Sequence, residues 1–385
     1  MRTVNVALIG YKFMGRAHSN GFRQAAAFFD VPYRPVLKVL CGRDRAAVQQ
    51  VADRFGWEEV ATDWQEVVNR RDIDIVDIAT PGDSHRDIAV AAAKAGKHVI
   101  CEKPLANTLA EAKEMWAAVK QAGVINLCNF NYRRVPAVRL AKRLISEGVL
   151  GTIRHYRGTY LQDWIVDPNF PLVWRLVKES AGSGALGDIG AHSIDLARYL
   201  VGEVTELTAL TQTFIKERPL PTATTGLTAT AGREMGKVTV DDAALILARF
   251  EGEAIGTFEA TRFALGRLNY NRFEINGSRG SVAFNFERMN ELDFFSGDDP
   301  KDRQGWRVIQ ATEGVHDFVS AWWPPGHGLG YEHTFTHAVV DFLRGMAEGK
   351  SPDPDFREGA QVNAVLDATL RSAESGQWVK VERIS

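Results

Sequence analysis

The chain has 385 residues, 45% of them hydrophobic and 24% charged, and its 46 Lys and Arg against 48 Asp and Glu leave a net charge of −2. That length exceeds one ordinary core and predicts two domains. With no basic excess and no Lys/Arg run, neither nucleic acid nor an anionic membrane is an expected partner. No apolar stretch approaches the ~18 residues of a membrane span. The first strand should begin by Val4, leaving no room for a signal peptide, so a cytoplasmic location is expected. Three cysteines, Cys41, Cys101 and Cys128, close predicted strands and read as buried or free thiols in a reducing compartment.

Up to about residue 131, short apolar runs (Val4–Ile9, Pro35–Cys41, Ile73–Ala79, His98–Cys101 and Ile125–Phe130) are separated by helical stretches such as 86–96 and 108–122, with Gly96 and Gly123 as stops. Continuously apolar strands between helices predict a parallel sheet covered on both faces, the doubly wound α/β pattern. A helix follows at about 135–147. Then alternating runs at 152–161, 204–214, 242–250, 254–262, 270–276, 280–286 and 291–295, with a helix at about 184–201, predict an α+β unit with a large, mostly antiparallel open sheet. Helix returns at 333–347 and 358–374. The aperiodic segment 215–237 is long enough for a lid or contact arm, and the simpler expectation is a surface loop.

GYKFMG (10–15) follows the first strand as a dinucleotide phosphate turn would, with Gly10 and Gly15 in place and Lys12 where the middle glycine normally lets pyrophosphate approach. Thr80-Pro81 and Glu102-Lys103-Pro104 close two later strands, and the carboxyl ends of parallel strands line the ligand crevice. After the second strand stand Gly42, Arg43 and Asp44. Arg43 suits the 2′-phosphate of NADP and Asp44 the ribose of NAD, with a slight lean to NADP. GALGDIGAHSID places Asp188, His192 and Asp195 at spacings of four and three, within an arc of about 60° on one helical face. Ile189, Leu196 and Leu200 form a neighbouring apolar stripe. Such a polar face on a half-buried helix is costly unless it is used or paired.

ATPGDSH (79–85), CEKPLA (101–106), NYRRVP (131–136) and GALGDIGAHSIDLARYL (184–200) together resemble the Gfo/Idh/MocA oxidoreductases over essentially the whole chain. RGTYLQDW (157–164), Trp174-Arg175 and the 215–237 segment resemble most the branch of levoglucosan dehydrogenases and glycoside 3-dehydrogenases. The resemblance implies a Rossmann NAD(P)-binding domain at 1–131 and a substrate-binding and oligomerisation domain at 132–385. It implies cofactor contacts from Gly10, Lys12, Phe13, Met14, Gly15, Gly42, Arg43, Thr80, Pro81, His85, Glu102, Lys103 and Asn131. Lys103 would touch the nicotinamide ribose and the reacting oxygen, Asp188 would hold a sugar hydroxyl, and His192 would be the base. An imidazole with a pKa near ~6.5 suits removal of a hydroxyl proton, and an ammonium stabilises the developing alkoxide. Pro104 permits a cis peptide after Lys103.

For a polyol, flat rings and polar groups are expected from Tyr132, Arg133, Gln162, Asp163, Trp164, Trp174, Arg175 and His333. No metal is expected. His327, His333 and His337 lie close in sequence but carry no zinc motif, and His337 reads as helix surface. The expected activity is oxidation of a secondary hydroxyl, C3 favoured, of a sugar, glycoside or anhydrosugar. The alternatives are a glycoside hydrolase or lyase that oxidises C3 transiently and recycles bound NAD, an inositol dehydrogenase, and a non-catalytic nicotinamide sensor. The last is disfavoured because Lys103, Asp188 and His192 are all present. An open sheet face predicts a homodimer or homotetramer.

Overall fold

A computed structural model of the chain describes residues 2–225 and 228–385. It divides into two compact units: Met1–Asn131 with Tyr331–Asn363 and Ile384–Ser385, and Tyr132–Gly330 with Ala364–Arg383. One division falls between Asn131 and Tyr132, and residues 331–363 group with the first unit.

The first unit alternates β1 (Arg2–Ile9), α1 (Phe13–Phe28), β2 (Tyr33–Cys41), α2 (Arg45–Phe55), β3 (Glu59–Ala61) and α3 (Trp64–Val68), then β4 (Ile75–Ile78), α4 (His85–Lys94), β5 (His98–Cys101), α5 (Leu109–Ala122) and β6 (Asn126–Cys128). Its sheet is parallel in the order β3-β2-β1-β4-β5-β6. That is the doubly wound order, with its switch point between β1 and β4. Local chemistry sets the helix limits. Asp44 caps α2 by accepting from the Ala46 and Ala47 N–H groups, and Thr108 and Glu111 form a capping box on α5. Gly56 and Gly123 end the same helices in the left-handed conformation. The strand β3 was not expected, because three residues show no period.

Register then fixes what the sheet presents. Ile9 pairs with Cys41 and Ile78, Ile78 with Cys101, and Cys101 with Cys128. The next residue on each strand therefore falls in one row along the carboxyl edge: Gly10, Gly42, Ala79, Glu102 and Asn129. Adjacent members lie about one strand spacing, ~4.8 Å, apart.

The second unit contains α6 (Pro136–Ser146), β7 (Ile153–Leu161), α7 (Lys178–Ala181), α8 (Ala191–Leu200), β8 (Val204–Gln212), β9 (Glu217–Thr225), β10 (Thr228–Lys237), β11 (Ala243–Phe250), β12 (Ile255–Thr261), β13 (Tyr270–Gly277), β14 (Gly280–Asn285), β15 (Glu291–Ser296) and β16 (Arg307–Gln310). The long helices α9 (Tyr331–Glu348) and α10 (Phe356–Ser375) and the short β17 (Val379–Lys380) complete the chain. Nine strands form one sheet, β16-β15-β14-β13-β7-β12-β11-β8-β17, antiparallel except for the parallel pair β7 and β12.

The 215–237 segment is not a loop. β9 and β10 form a separate two-stranded antiparallel ribbon. Its Thr- and Ala-rich strands alternate too weakly in polarity to show a period. Arg218 anchors it: the buried guanidinium donates to the carbonyls of Ile165, Asp167 and Phe170. Gly226 and Leu227, within that expectation, lie outside the described residues.

Candidate active site

In the first unit the candidate site is the row along the carboxyl edge. Gly10 adopts φ +114°, and a Cβ there would stand 2.4 Å from the Ala79 carbonyl oxygen, while one at Gly15 would stand 2.1 Å from the Gly10 oxygen. Only glycine allows these close backbone approaches. Lys12, by contrast, has φ −75°, which any residue adopts, so the missing middle glycine costs the turn nothing in backbone strain. No side chain caps α1, and its first turn carries no acid. Its N-terminal N–H groups and dipole are thus available to an anion. Lys12 and Phe13 are exposed there and Met14 is half-buried.

Two turns further along the row are tied together. The His85 ring, at the first position of α4, has Nε2 3.0 Å from the Thr80 carbonyl and Nδ1 3.2 Å from the carbonyls of Pro104 and Leu105. Ser84 donates to the Thr80 hydroxyl and the Pro81 carbonyl, and the Lys103–Pro104 peptide is cis. Glu102 is buried against His18 and Asn129 and accepts from the Lys103 N–H. Asn131 donates to Thr334 of α9. Beside α1, the Phe13 and Tyr331 rings stack at 6.2 Å, which places the first turn of α9, and with it His333, near the phosphate turn. His337 is not helix surface. It is fully buried edge-on to Phe29, because α9 packs on α1 closely enough that a Cβ at Gly21 would touch the Phe335 backbone.

In the second unit the candidate site is built around the turn Leu186–Gly190, a π-helical turn that runs into α8. The Ala191 N–H donates to the Leu186 carbonyl, so the Asp188–His192 stretch departs from the 100° step behind the one-face expectation. Asp241 holds its start by accepting from the Gly184 and Leu186 N–H groups. A Cβ at Gly184 would collide with the Asp241 carbonyl at 1.7 Å, and one at Gly190 would press on Ala260 at 3.3 Å. These glycines let the turn lie directly on β12.

Three groups of side chains then set the polar residues. His192 stacks on Tyr132 at 4.2 Å, and Tyr132 meets the Tyr160 hydroxyl at 2.8 Å. Tyr160 and Gln162 both donate to Asn269 Oδ1, and Trp164 donates to Gln162. Arg262, fully buried, reaches Asp188 at 3.4 Å and lies 5.4 Å from the Trp164 ring. Arg175 stacks on Trp174 at 4.4 Å. Burial lowers the Arg175 pKa from its ordinary value, and the Asp188 carboxylate opposes that shift. Asp188 thus lies in the field of two arginines, whereas its side chain stays a quarter exposed.

Two expected contacts have other partners. The Arg133 guanidinium is spent on Asp195, at 2.6–3.0 Å through Nε and Nη2, with both residues buried. The third acid of the predicted polar face is therefore paired structurally. Asp163 accepts from the Gly266 N–H and closes the 263–267 turn. Sequence reasoning missed Arg262, Asn269 and Asp77. The alternation of IGTFEATR, buried at Gly256, Phe258 and Ala260, carries Arg262 inward, and Asp77 interrupts the apolar IVDI.

Residues 4–130 match the model of an oxidoreductase family with an NAD-binding Rossmann fold, and residues 138–283 match the GFO/IDH/MocA C-terminal domain. The chain is 47% identical over its full length to levoglucosan dehydrogenase of Pseudarthrobacter phenanthrenivorans, itself covered in full. The chain belongs to the Gfo/Idh/MocA oxidoreductase family. Its first unit carries that family's NAD-binding Rossmann domain, and the chain is an enzyme of the oxidoreductase class. Among solved structures it resembles an oxidoreductase domain protein from Kribbella flavida (53% identity, TM-score 0.95) and a levoglucosan dehydrogenase in complex with NADH (46%, 0.95), each chain covered completely. A complex of levoglucosan dehydrogenase with NADH and levoglucosan matches at TM-score 0.94 and 46% identity, over 99% of this chain and all of the other.

Proposed function

We propose that this oxidoreductase is an NAD-dependent dehydrogenase of levoglucosan or a closely similar pyranoside, oxidising the C3 hydroxyl. The observation that carries the reading is the Leu186–Gly190 turn, which sets Asp188 beside Arg262 and His192 on Tyr132 in a relative of sugar-binding, NADH-binding enzymes. The nicotinamide cofactor supplies the hydride acceptor. The Gly10–Gly15 cradle and the uncapped start of α1 fit its pyrophosphate. Lys103 stabilises charge on the reacting oxygen, Asp188 holds a neighbouring hydroxyl, and His192 takes the hydroxyl proton. Gln162, Trp164 and Trp174 supply the amide and flat rings that a pyranose needs.

The lean to NADP through Arg43 yields to NAD in this reading. The Asp44 carboxylate, fixed as the cap of α2, repels a 2′-phosphate, and the similar levoglucosan dehydrogenase structures contain NADH. We also propose self-association through the open sheet face, where Leu210, Leu245, Leu247 and Ile255 are exposed. Native mass spectrometry showing only monomer refutes that.

The test is a panel of levoglucosan, glucosides and inositols with NAD or NADP, followed by the absorbance of reduced nicotinamide and by analysis of the sugars. The reading expects reduction of NAD with levoglucosan. A flat trace with a glycoside consumed would establish redox-neutral cleavage instead, and reduction of NADP alone would restore Arg43.

A further inference from the structure

His18 lies one helical turn past Gly15 in α1 and is almost wholly buried. Its Nδ1 stands 2.7 Å from Asp77 Oδ2 on β4, and its Nε2 stands 2.8 Å from Glu102 Oε1 just past β5. Asn129, past β6, donates to the same Glu102 oxygen at 2.7 Å, and the Phe335 ring of α9 closes the site edge-on at 5.3 Å. The other Glu102 oxygen accepts the Lys103 N–H at 3.3 Å. Helices α1 and α9 and the ends of β4, β5 and β6 thus each contribute one group to a buried cluster, and none of the proposed substrate or cofactor roles uses His18 or Asp77.

We propose that His18 is a positioning residue for Lys103: as an imidazolium it clamps Glu102 to Asp77 and to α1, and Glu102 in turn fixes the start of the Lys103 turn. The geometry asks for the charged ring. An imidazole facing a carboxylate oxygen at each nitrogen satisfies both only when both nitrogens carry hydrogen. Burial acts most strongly against that charge, but Asp77 and Glu102 together outweigh it and hold the His18 pKa up to about 10. Burial also works against the Glu102 carboxylate, yet the His18 hydrogen bond and charge, Asn129 and Lys103 bring its pKa below the ordinary value. A carboxylate buried without such a partner would be costly or would protonate. A protonated Glu102 would grip the Lys103 N–H less well. The Lys103 turn is therefore held from two sides, by His18 through Glu102 and by His85 through the Pro104 and Leu105 carbonyls.

This inference rests on the reading of Lys103 given under Proposed function, so its test includes Lys103→Ala. Steady-state kinetics with NAD and levoglucosan, together with fluorescence titration of NADH, would compare His18→Gln, Glu102→Gln, their double variant and Lys103→Ala. His18→Gln is expected to lower kcat roughly tenfold to a hundredfold, as a small misplacement of a reacting group does. In His18→Gln the Kd for NADH should stay within about threefold, and the kcat of the double variant should be no worse than that of the poorer single one. Undiminished kcat in His18→Gln, a loss confined to NADH affinity, or losses that add would each overturn the proposal. Undiminished turnover in Lys103→Ala would remove the reading beneath it, a result distinguishable because it needs no His18 variant. Should the His18 and Glu102 variants fail to fold, the nitrogen chemical shifts of His18 in the wild-type protein at about pH 8 decide. Two protonated ring nitrogens support the clamp, and one bare nitrogen contradicts it.

Discussion

The cofactor edge of the first unit and the Leu186–Gly190 turn of the second achieve their geometry by different means. Along the edge, backbone does most of the positioning: register aligns the strand ends, and Gly10 and Gly15 admit carbonyl oxygens that a Cβ would displace. At the turn, side chains do it, with Asp241 holding the backbone, Arg262 facing Asp188 and the Tyr132–Tyr160–Asn269 chain supporting His192. Each region should therefore tolerate change in its own way. The edge should fail through added atoms, and the turn through lost partners as well as through an atom added at Gly184.

Five substitutions or conditions sharpen that contrast. The largest effect is expected from His192→Ala, which should cost about 10²- to 10⁴-fold in kcat, the usual range for loss of a positioned base. NADH binding, followed by fluorescence, should be untouched. Next comes pH. The folded-state pKa of His18 lies at about 10, above its ordinary 6.5. The folded protein therefore holds this proton more tightly than the unfolded chain. Its stabilisation is full below pH 6.5, declines above it, and is lost as pH rises through about 10. Thermal melts across that window should show a decline worth a few kcal/mol that His18→Gln abolishes.

Gly10→Ala should cost about 1–3 kcal/mol in stability, since the left-handed φ and the Ala79 carbonyl both resist it. Arg262→Met should raise KM for the sugar about tenfold and leave NADH affinity unchanged, the converse of a cofactor-edge defect. Asp44→Ala, the mildest, removes the α2 cap for about 1 kcal/mol. It should also narrow the preference for NAD over NADP, read as the ratio of kcat/KM values.

Much of the first unit was legible because its strands are continuously apolar and its helices end on glycine. Asp188 and His192 were legible as polar residues on an otherwise apolar helix. What escaped reading did so for physical reasons. The ribbon of β9 and β10 draws its anchor from Arg218, whose partners are carbonyls some fifty residues earlier, and no local pattern encodes that. The pairing of Arg133 with Asp195 is equally non-local. The grouping of α9 with the first unit follows from the close approach at Gly21, which sequence order conceals. Asp77 and Arg262 were open to detection, since each is a charge at a position the strand pattern sends inward.

The proposed reaction moves hydride from a sugar C3 to nicotinamide. Levoglucosan deuterated at C3, incubated with NAD and the enzyme, tests it most directly through the mass of the reduced cofactor. The expected result is NADH one mass unit heavier and a 3-keto product. Deuterium released to water with the cofactor still oxidised, or NADH without the label, would contradict it.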